Sequence, residues 1–241
     1  MSQLQRLVFA ASQMQASIVI LKPEQQHYLS RVLRLKSGDR FIAMDGHGNS
    51  WFAQLQRDQA TLIEPVVLHS ELPIAVTLML ALPKTGLDDV IRQVTELGVA
   101  CVVPVISDRT LLNPSLNKLE RWRRIAQEAA EQSERQFVPT ILDPLPFASA
   151  LETVEAEQRL ICVARRTHPH LLQCVSEARS ICVAIGCEGG WTDVEIASAI
   201  AHQYQPVSLG QRILRAVTAP ITALSLIAGA IEGQITEERK A

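Results

Sequence analysis

Two short apolar runs that each end on a glycine lie close to the carboxyl end of the chain, within residues 181–231. Residues 181–185 precede Gly186, and residues 206–209 precede Gly210. Short apolar runs are typical of buried strands, and glycine allows the chain to turn sharply where a strand ends. The pattern predicts two neighbouring strand ends, each followed by a loop that begins on a glycine.

A helix start follows each of these loops. Thr192 and Glu195 have the spacing of a capping box, and Thr218 with Pro220 is typical of a second helix N-terminus. Strand ends, glycine-rich loops and helix N-termini together allow a backbone to wrap closely around a small molecule. We therefore expect a ligand site here, with main-chain N–H and C=O groups accessible beside the glycines.

The glycines at positions 186, 189 and 190 also allow a simpler interpretation. A glycine-rich loop between a strand and a helix is most often a plain turn. The chain contains no GxGxxG, GxxxxGK[ST] or GxSxG sequence, so the fingerprints of dinucleotide-binding folds, P-loop enzymes and α/β-hydrolases are absent. Spacing alone does not decide between the turn and the ligand site.

The overall charge excludes a uniformly basic nucleic-acid-binding surface. The 241 residues carry a net charge of −2, with 47% apolar and 20% charged residues, as in an ordinary globular protein with an ample core. Residues 1–70 hold seven of the 23 basic and five of the 25 acidic side chains. This small excess is compatible with a local basic face near the N-terminus.

The five cysteines favour reduced thiols in a cytoplasmic protein, because their number is odd and none forms a C-x-x-C pair. They are Cys101, Cys162, Cys174, Cys182 and Cys187. Disulfides and structural zinc are not expected, and His168 and His170 have too few neighbours of ligand type to predict a metal site. No apolar run has the length of a signal-peptide core near the N-terminus or of a membrane span elsewhere.

Short strand candidates separated by turns occupy residues 1 to about 70. Residues 17–21, 41–44 and 51–55 have strand character, and the sequence DGHGN at 45–49 is a strong turn signal. Between the first two strands, the sequence HYLSRVLRL at 27–35 has Tyr28, Val32 and Leu35 at helical spacing. The front of the chain is thus predicted to be a small, mainly β unit with one helix.

Four basic side chains follow one another in and after this predicted helix: Arg31, Arg34, Lys36 and Arg40. Arg31 and Arg34 are three residues apart and are expected to share a helix face. A solvated basic face and a small phosphate-binding module for RNA both produce this pattern. The residues themselves leave both interpretations open.

The pattern changes after residues 64–73, which look like a linker with prolines bracketing a short apolar run. From residue 74 onward, apolar runs alternate with helical patterns, and Gly98 is placed to end the first helix. The predicted strands are 74–82, 100–105, 160–164, 181–185 and 206–209, and the predicted helices are 87–97, 116–136, 170–178, 193–202 and 218–233. Uniformly apolar strands that alternate with helices predict an α/β fold with a parallel sheet covered on both faces.

The predicted helix 116–136 has a clear apolar stripe, formed by Leu119, Trp122, Ile125, Ala126, Ala129 and Ala130. Glu128, Gln132 and Arg135 form a polar row at helical spacing, with Glu131 beside it. Such a row is either a solvent-facing set of paired side chains or a contact to a substrate or another subunit. Both interpretations stay open.

Five sequence blocks in one order carry a resemblance to a known family along the whole chain. They are HYLSRVLRLKSGDR with DGHGN, TELGV at 95–99, ERWRRIAQEAAEQSERQFVP at 120–139, GCEGGW at 186–191 and SLGQRILR at 208–215. Together they resemble the bacterial methyltransferases of the SPOUT class that methylate N3 of a uridine in 16S ribosomal RNA. Any one block is weak, and the set is highly specific.

The resemblance implies an N-terminal PUA-like β-barrel for RNA over residues 1–72 and a SPOUT methyltransferase domain over residues 73–241. In that domain it implies a deep trefoil knot that holds S-adenosylmethionine. It also implies a homodimer that acts on 16S rRNA in the small ribosomal subunit, with no metal and no membrane. Periodicity alone predicts an unknotted doubly wound sheet, since chains rarely thread their own loops.

The resemblance further implies three loops around a bent cofactor. The implied cofactor-binding residues are Ala164, Ile185, Gly186, Glu188, Gly189, Gly190, Leu209, Gly210, Ile213 and Leu214. Main-chain groups near Ile185, Leu209 and Leu214 are expected to contact the adenine. Glu188 is implied as a polar anchor, and a carboxylate that merely caps a loop N–H is an equal alternative.

Two arginines are implied as catalytic. Arg215 ends the last loop, where it is expected to hold the uracil oxygens or a phosphate, although an ordinary ion pair is the alternative. Arg135 is expected to complete the site from the partner subunit. The implied RNA-binding residues are Arg6, His27, Arg31, Arg34 and Lys36.

The implied reaction is a direct displacement in which the protein aligns a uracil nitrogen with an activated methyl group. An arginine beside the carbonyl oxygens would stabilise the anion that forms when the N3 proton leaves. The chain departs from its relatives at Val217, where glutamate is usual, at Gln93, where lysine is usual, and at Cys187, where proline is usual. Glu188 is then the local carboxylate candidate for the proton.

Two alternatives remain beside the leading hypothesis. One is a SPOUT methyltransferase with another RNA target. The other is an rRNA-binding assembly protein that keeps the fold but has lost methyl transfer, which Val217 and Gln93 keep open.

Overall fold

The computed structural model describes residues 4–176 and 178–238. The strands are β1 (Arg6–Val8), β2 (Met14–Gln15), β3 (Ile18–Ile20), β4 (Arg40–Met44), β5 (Ser50–Gln56), β6 (Gln59–Pro65), β7 (Ala75–Ala81), β8 (Cys101–Ile106), β9 (Thr140–Ile141), β10 (Leu145–Pro146), β11 (Gln158–Cys162), β12 (Ser180–Ile185) and β13 (Gln205–Val207). The helices are α1 (Pro23–His27), α2 (Leu87–Glu96), α3 (Leu116–Gln132), α4 (Phe147–Thr153), α5 (Leu171–Cys174), α6 (Asp193–Ala201) and α7 (Ala219–Glu238). None of the described helices is long and apolar enough to cross a membrane.

The chain divides into two compact units. The first comprises the residues up to Glu71 together with Gln127–Val138. The second comprises Leu72–Ala126 and the residues from Pro139 onward. The division runs through α3, whose last residues belong with the first unit.

The first unit is built on one mixed sheet with the strand order β1-β4-β5-β6-β3-β2. β1 runs parallel to β4, and the other neighbouring pairs are antiparallel. The hairpin of β4 and β5 turns at DGHGN, where the Asp45 carboxylate accepts hydrogen bonds from the N–H groups of His47 and Asn49 at 2.8 and 3.1 Å. The three predicted strands and this turn are confirmed.

The helix predicted over residues 27–35 is wrong in its extent. α1 ends at His27, a π-helical turn continues to Val32, and Arg34 has a φ of +57°, in the left-handed region. Arg34 therefore lies beyond the last helical residue and shares no helix face with Arg31.

The apolar side chains of this segment explain the difference. Leu29 is fully buried, whereas Val32, which helical spacing grouped with Tyr28 and Leu35, is 58% exposed. Leu35 packs partly against the same core as Leu29, six residues earlier, and its N–H donates to the Leu29 carbonyl at 2.9 Å. Residues six apart point to different sides of a helix, so the chain must turn at Arg34 to return Leu35 to the core.

The segment after α3 pairs with the DGHGN turn of the first unit. The N–H of Val138 donates to the Gly46 carbonyl at 2.9 Å, and the Gln136 amide donates to the Gly48 carbonyl at 3.1 Å. A Cβ at Gly48 would lie 2.5 Å from the ring of Phe137, so only glycine allows this approach. These contacts explain why α3 does not continue to residue 136.

The end of α3 also differs from the predicted polar row. The helix stops at Gln132, Glu134 has a φ of +64°, and Arg135 lies outside the helix rather than on the face of Glu128. The predicted apolar stripe is confirmed, because all of its members are buried. The row fails since the carboxylate of Glu71 captures the chain just past the helix, accepting the N–H groups of residues 136 and 137 at 2.8 and 3.1 Å.

The second unit is built on a parallel sheet with the order β10-β8-β7-β12-β11-β13, and β9 pairs with β8. Successive residues of β7 face opposite sides: Leu78 and Leu80 lie in one core, and Met79 and Ala81 lie in another. Side chains of α2, α3, α5 and α7 fill the first core, and those of α4 and α6 fill the second. The predicted parallel sheet with helices on both faces is confirmed.

Most predicted element boundaries in this unit agree with the structure. The helix predicted over residues 170–178 is shorter, since α5 ends at Cys174 and residue 177 lies outside the described residues. The last predicted strand ends early, because β13 stops at Val207. The linker predicted over residues 64–73 begins within β6, which continues to Pro65.

Replacing the carboxyl of Glu131 is expected to change how stability depends on pH. Burial raises its pKa from 4.5 to about 7, against the hydrogen bonds from the Val8 N–H at 2.7 Å and the Gln127 amide at 3.2 Å. The fold therefore favours the protonated carboxyl. Its contribution to the free energy of unfolding is fully present below about pH 4.5 and is lost as the pH rises through about 7. Glu131→Gln should remove this loss, which amounts to up to about 3 kcal/mol at pH 8.

Chemical denaturation at pH 5 and pH 8 measures the effect. Glu120→Gln is the matched control, because the Glu120 side chain is 71% exposed on the same helix and its replacement should change stability by less than about 0.5 kcal/mol. Equal pH dependence in Glu131→Gln and the wild type would contradict the assignment.

Candidate functional site

Three loops leave the same edge of the second unit's sheet. β11 lies between β12 and β13, and all three strands are parallel. Their carboxyl ends therefore lie side by side, and they continue into loops at 163–170, 186–192 and 208–218. In parallel α/β sheets this edge is where ligands bind.

The loop after β12 contains a tight turn that depends on glycine. A Cβ at Gly186 would lie 3.1 Å from the Cα of Gly190, and Gly190 has a φ of +66°. The N–H of Gly190 donates to the Cys187 carbonyl at 2.9 Å, which closes the turn. The backbone is therefore folded on itself directly after Ile185, the last and buried residue of β12.

Glu188 holds a neighbouring loop. Its carboxylate accepts a hydrogen bond from the backbone N–H of Lys84 at 2.9 Å. Lys84 follows β7, which pairs with β12. The structure thus shows the loop-capping contact that the sequence left as one of two alternatives for this exposed side chain.

The loop after β13 exposes both backbone and apolar groups. Gly210 has a φ of +111°, and its N–H donates to the Ser208 hydroxyl at 3.1 Å. Leu209 and Leu214 are half-buried, while Ile213 is 57% exposed. Half-buried and exposed apolar side chains of this kind suit a flat heteroaromatic ring.

Arg215 combines a fixed backbone with an exposed side chain. Its carbonyl accepts the N–H groups of Thr218 and Ala219, both at 2.9 Å, at the start of α7. Among the described side chains, which are those of residues 4–176 and 178–233, its guanidinium has no hydrogen-bond or ion-pair partner. The ordinary ion pair considered as an alternative is therefore not formed among these residues.

The loop after β11 is joined to the loop after β13. The N–H of Ser208 donates to the Pro169 carbonyl, and the N–H of Leu171 donates to the Ser208 carbonyl, both at 2.9 Å. Ala164 is exposed, and Arg165 beside it has a φ of +63°. The backbone of this loop is thus strongly bent at Arg165, directly after it leaves β11.

His168 in the same loop has a buried Nε2 atom without a partner among the described residues. A buried polar atom without a hydrogen bond is costly and is often a sign that a ligand or water supplies the partner. His168 is a feature of the site that sequence reasoning did not assign.

A fourth loop, residues 107–110 after β8, braces the loop after β12. The Arg109 guanidinium donates to the Gly189 carbonyl at 2.6 Å, and the Asp108 N–H donates to the Glu195 carboxylate at 2.9 Å. Sequence analysis missed this loop and Lys84. Polar residues directly after an apolar strand of a parallel sheet were the available signal, because all such strands end at one edge.

The predicted capping box at the start of α6 is confirmed. Thr192 accepts the N–H of Glu195 at 3.2 Å, and the Glu195 carboxylate accepts the N–H of Thr192 at 2.7 Å. Since the same carboxylate also holds Asp108, one buried glutamate fixes the start of the helix and the fourth loop together.

Arg135 and Arg6 are both engaged within the first unit. The Arg135 side chain is 4% exposed and contacts the Glu71 carboxylate at 2.8 Å. The Arg6 side chain is 8% exposed and contacts Glu134 at 2.6 Å. In both ion pairs the arginine is buried, and its charge depends on the acidic partner.

The other predicted RNA-binding side chains are exposed in the first unit: His27, Arg31, Arg34 and Lys36. Among the described side chains, no hydrogen bond or ion pair engages the charged ends of Arg31, Arg34 or Lys36. They are thus free to bind phosphate groups.

The positions that depart from the resemblance lie as follows. Val217 stands against Gly86, where an added Cβ would lie 3.0 Å from a Val217 methyl carbon. Gln93 lies exposed on α2. Cys187 is buried, and its thiol donates to the Arg109 carbonyl at 3.3 Å.

Across the part of the chain that the structure describes, no group of three or more His, Cys, Asp or Glu side chains is arranged to hold a metal ion.

Comparisons with known proteins identify both parts of the chain. The model of a family described as an RNA methyltransferase domain matches residues 70–228, and that of an RNA methyltransferase PUA domain matches residues 21–64. The chain is 49% identical over 236 residues to the ribosomal RNA small subunit methyltransferase E of Synechocystis, covering 94% of this chain and 78% of the relative. The enzyme of that name from Bacillus subtilis is 29% identical, with 85% and 87% covered.

Two solved structures resemble the whole chain. One is the ribosomal RNA small subunit methyltransferase E of Neisseria gonorrhoeae bound to S-adenosyl methionine, with a TM-score of 0.84, 29% identity, and 92% of this chain and 96% of that chain covered. The other is a putative methyltransferase of Legionella pneumophila with bound SAM, with a TM-score of 0.84, 26% identity, and 95% and 98% covered. Both resemblances extend over the two units.

Adding a methyl group at Gly186 should disturb the turn after β12. The new Cβ would meet the Gly190 backbone at 3.1 and 3.3 Å, and a backbone cannot rotate away as a side chain can. Gly186→Ala should therefore lower the free energy of unfolding by about 1–3 kcal/mol, measured by urea denaturation.

Gly229→Ala is the matched control for this change. Gly229 lies within α7, and nothing is within 4 Å of an added Cβ. This variant should be more stable than the wild type by about 0.5–1 kcal/mol, because alanine favours a helix. An unchanged stability of Gly186→Ala would show that the turn is not tightly closed.

Proposed function

We propose that the chain, which belongs to the ribosomal RNA small subunit methyltransferase E family, uses S-adenosylmethionine to methylate N3 of a uridine in 16S ribosomal RNA. The family assignment supplies the reaction class, the methyl donor and the substrate RNA. The choice of uridine N3 is our proposal. The observation that carries the site is the meeting of three loops, two of which contain glycine, at adjacent carboxyl ends of β11, β12 and β13.

The residues at this edge fit S-adenosylmethionine. The close approach of Gly186 to Gly190 and the left-handed backbone of Gly210 provide a narrow cradle without side chains. We assign the adenine to main-chain groups near Ile185, Leu209 and Leu214, with Ile213 as an apolar cover. The partnerless Nε2 of His168 is a further group that a bound ligand would satisfy.

We further propose that these loops cross as a deep trefoil knot. The sheet order supports this, because β12 lies between β7 and β11, both of which precede it in the chain. Crowded crossing loops also need tight turns without Cβ atoms, and the approach of Gly186 to Gly190 within one loop is such a turn. Residues 1–72 are assigned to a PUA-like RNA-binding domain and residues 73–241 to the methyltransferase domain.

When bound, S-adenosylmethionine supplies a methyl group that its sulfonium already activates, so the chain must mainly align the base. Arg215 is the proposed catalytic residue, because its backbone is fixed at the start of α7 while its guanidinium is exposed without a partner among the described residues. Two N–H donors directed at a uracil oxygen would stabilise the negative charge that develops as N3 loses its proton.

Glu188 is the proposed acceptor of the N3 proton. Val217 brings no carboxylate to the position where the family resemblance implies glutamate, and it lies against Gly86. Glu188 is exposed at the same edge of the sheet, and one of its oxygens accepts only the Lys84 N–H among the described groups. Its other oxygen is thus available to a proton.

We propose that the chain acts in the cytoplasm as a homodimer. Two large apolar side chains before and at the start of α3, Leu111 and Leu116, are 85% and 80% exposed, and a second copy would cover such groups. Arg135 is proposed to contribute from the partner subunit. Its buried pair with Glu71 supports a second role, which is to hold the segment after α3 in its own first unit.

Transfer of a labelled methyl group tests the function. The protein is incubated with labelled S-adenosylmethionine and small subunits from a strain that lacks the enzyme, and the modified nucleotide is mapped. N3-methyluridine in 16S rRNA is the expected product. Label at another base or on a ribose would overturn the assignment of the atom, and binding to subunits without label would favour the assembly-protein alternative that Val217 suggests.

Arg215→Ala should reduce turnover by at least about 100-fold, as expected for a group that stabilises charge in the transition state, and should leave the melting temperature unchanged. Arg92→Ala is the control, since Arg92 is an exposed arginine of α2 that pairs with Asp89. Turnover is measured with the assay above at saturating cofactor. If Arg215→Ala and Arg92→Ala show equal turnover, Arg215 has no part in catalysis.

Replacing both Arg31 and Arg34 by alanine should weaken RNA binding and make it less dependent on salt. Each lost phosphate contact should reduce the slope of log K against log salt concentration by about 1. Arg57→Ala with Arg92→Ala removes the same charge elsewhere and is the control. Filter binding to a 16S rRNA fragment between 50 and 200 mM salt, a range in which phosphate contacts are strongly screened, measures both slopes. If the slope of log K against log salt concentration is unchanged when Arg31 and Arg34 are both alanine, these arginines form a solvated surface and do not contact phosphate.

A further inference from the structure

We propose that Arg109 is a positioning residue that holds the loop at residues 186–191 in its cofactor-binding shape, an inference that rests on the proposed function. Arg109 lies outside the three loops assigned to the cofactor, in the loop after β8. Its guanidinium Nη1 donates to two carbonyls of the loop at residues 186–191, here called the held loop: those of Gly189 at 2.6 Å and Trp191 at 3.3 Å. Hydrogen bonds from a charged donor are about twice as strong as neutral ones.

The side-chain stem of Arg109 explains one of the glycines. A Cβ at Gly189 would lie 2.9 Å from Cδ and 3.1 Å from Cβ of Arg109. The arginine therefore packs directly on the backbone of the held loop, and a larger residue than glycine would separate the two. At position 189 a Cβ would collide with Arg109, whereas at position 186 it would collide with the backbone of Gly190.

The backbone around Arg109 is itself held by hydrogen bonds to the same loop and to the start of α6. The thiol of Cys187 donates to the Arg109 carbonyl at 3.3 Å. The neighbouring Asp108 accepts the Thr192 hydroxyl at 3.1 Å and donates its N–H to the Glu195 carboxylate at 2.9 Å. Contacts on both sides of Arg109 thus prevent the loop after β8 from moving away with the arginine.

This arrangement separates the shape of the loop from the stability of the fold. The Arg109 side chain is exposed, and among the described residues its guanidinium donates hydrogen bonds only to the loop at 186–191. Without it, the loop keeps its turn at Gly186 and Gly190 but loses the anchor of its second half. More conformations then compete with the one that binds the cofactor, and the apparent affinity falls by the fraction that remains competent.

Titration calorimetry with S-adenosylhomocysteine, the demethylated product, tests the proposal on the full chain. Arg109→Ala should weaken binding by at least about 10-fold, or about 1.4 kcal/mol, with a melting temperature within about 2 °C of the wild type. Arg109→Lys should be intermediate, because a single ammonium reproduces the charge but not the planar set of donors. At saturating cofactor, methyl transfer by Arg109→Ala should approach the wild-type kcat while the KM for the donor rises.

A second variant makes the contact itself testable. Gly189→Ala should weaken binding in the wild-type background, and should cost less when Arg109 is already alanine, because the Cδ atom nearest to the new methyl group is gone. Such non-additivity identifies a direct interaction. Arg92→Ala, which removes an exposed arginine of α2, should bind like the wild type.

The outcomes separate this inference from the function on which it rests. A wild-type chain that binds neither S-adenosylhomocysteine nor S-adenosylmethionine would overturn the proposed function. A wild-type chain that binds, with equal binding by Arg109→Ala, would overturn only the role of Arg109. An equal loss of kcat and affinity would assign Arg109 to the reacting atoms rather than to the loop.

Discussion

The parallel pairing of β11 with both β12 and β13 is the constraint on which the candidate site depends. Parallel strands require crossover connections, so each of these strands reaches the same edge of the sheet before its loop begins. The pairing is stabilised by apolar side chains on both faces, since Leu160 and Val183 lie in one core and Ile161 and Ala184 in the other. The position of the loops is therefore set by the core and needs no contribution from a ligand.

The shape of the loops is set by short-range contacts at this edge. Two glycines of the loop after β12 allow different close approaches. Gly186 allows the backbone of Gly190 to come near, and Gly189 allows the aliphatic part of the Arg109 side chain to come near. Glu188 and Glu195 then tie the same stretch to the loops after β7 and β8 through backbone N–H groups. A loop that is held by its own neighbours loses little conformational freedom when a ligand binds, and such preorganisation favours affinity.

The sequence predicted the second unit well because its signals are local. Apolar strands, helical stripes and the capping box of Thr192 and Glu195 each depend on residues close in the chain, and the structure has them where the patterns indicate. Assignment of the loops to a methyl donor came from the family resemblance rather than from spacing, which left a plain turn open. The contact of Arg109 could not be predicted from a local pattern, because its partners are about 80 residues away in the chain.

The end of α3 shows why the predicted polar row was wrong. Helical spacing placed Glu128, Gln132 and Arg135 on one face, but periodicity assumes that the helix continues. Glu71 supplies acceptors for the N–H groups of residues 136 and 137 and for the Arg135 guanidinium, so leaving the helix costs these groups no hydrogen bonds. A carboxylate 65 residues earlier in the chain thus decides where the helix ends and removes the arginine from the predicted row. Motif position identifies a residue as important without distinguishing whether it acts on a substrate or holds the backbone, and for Arg135 the contacts within its own unit support the second role beside the proposed one.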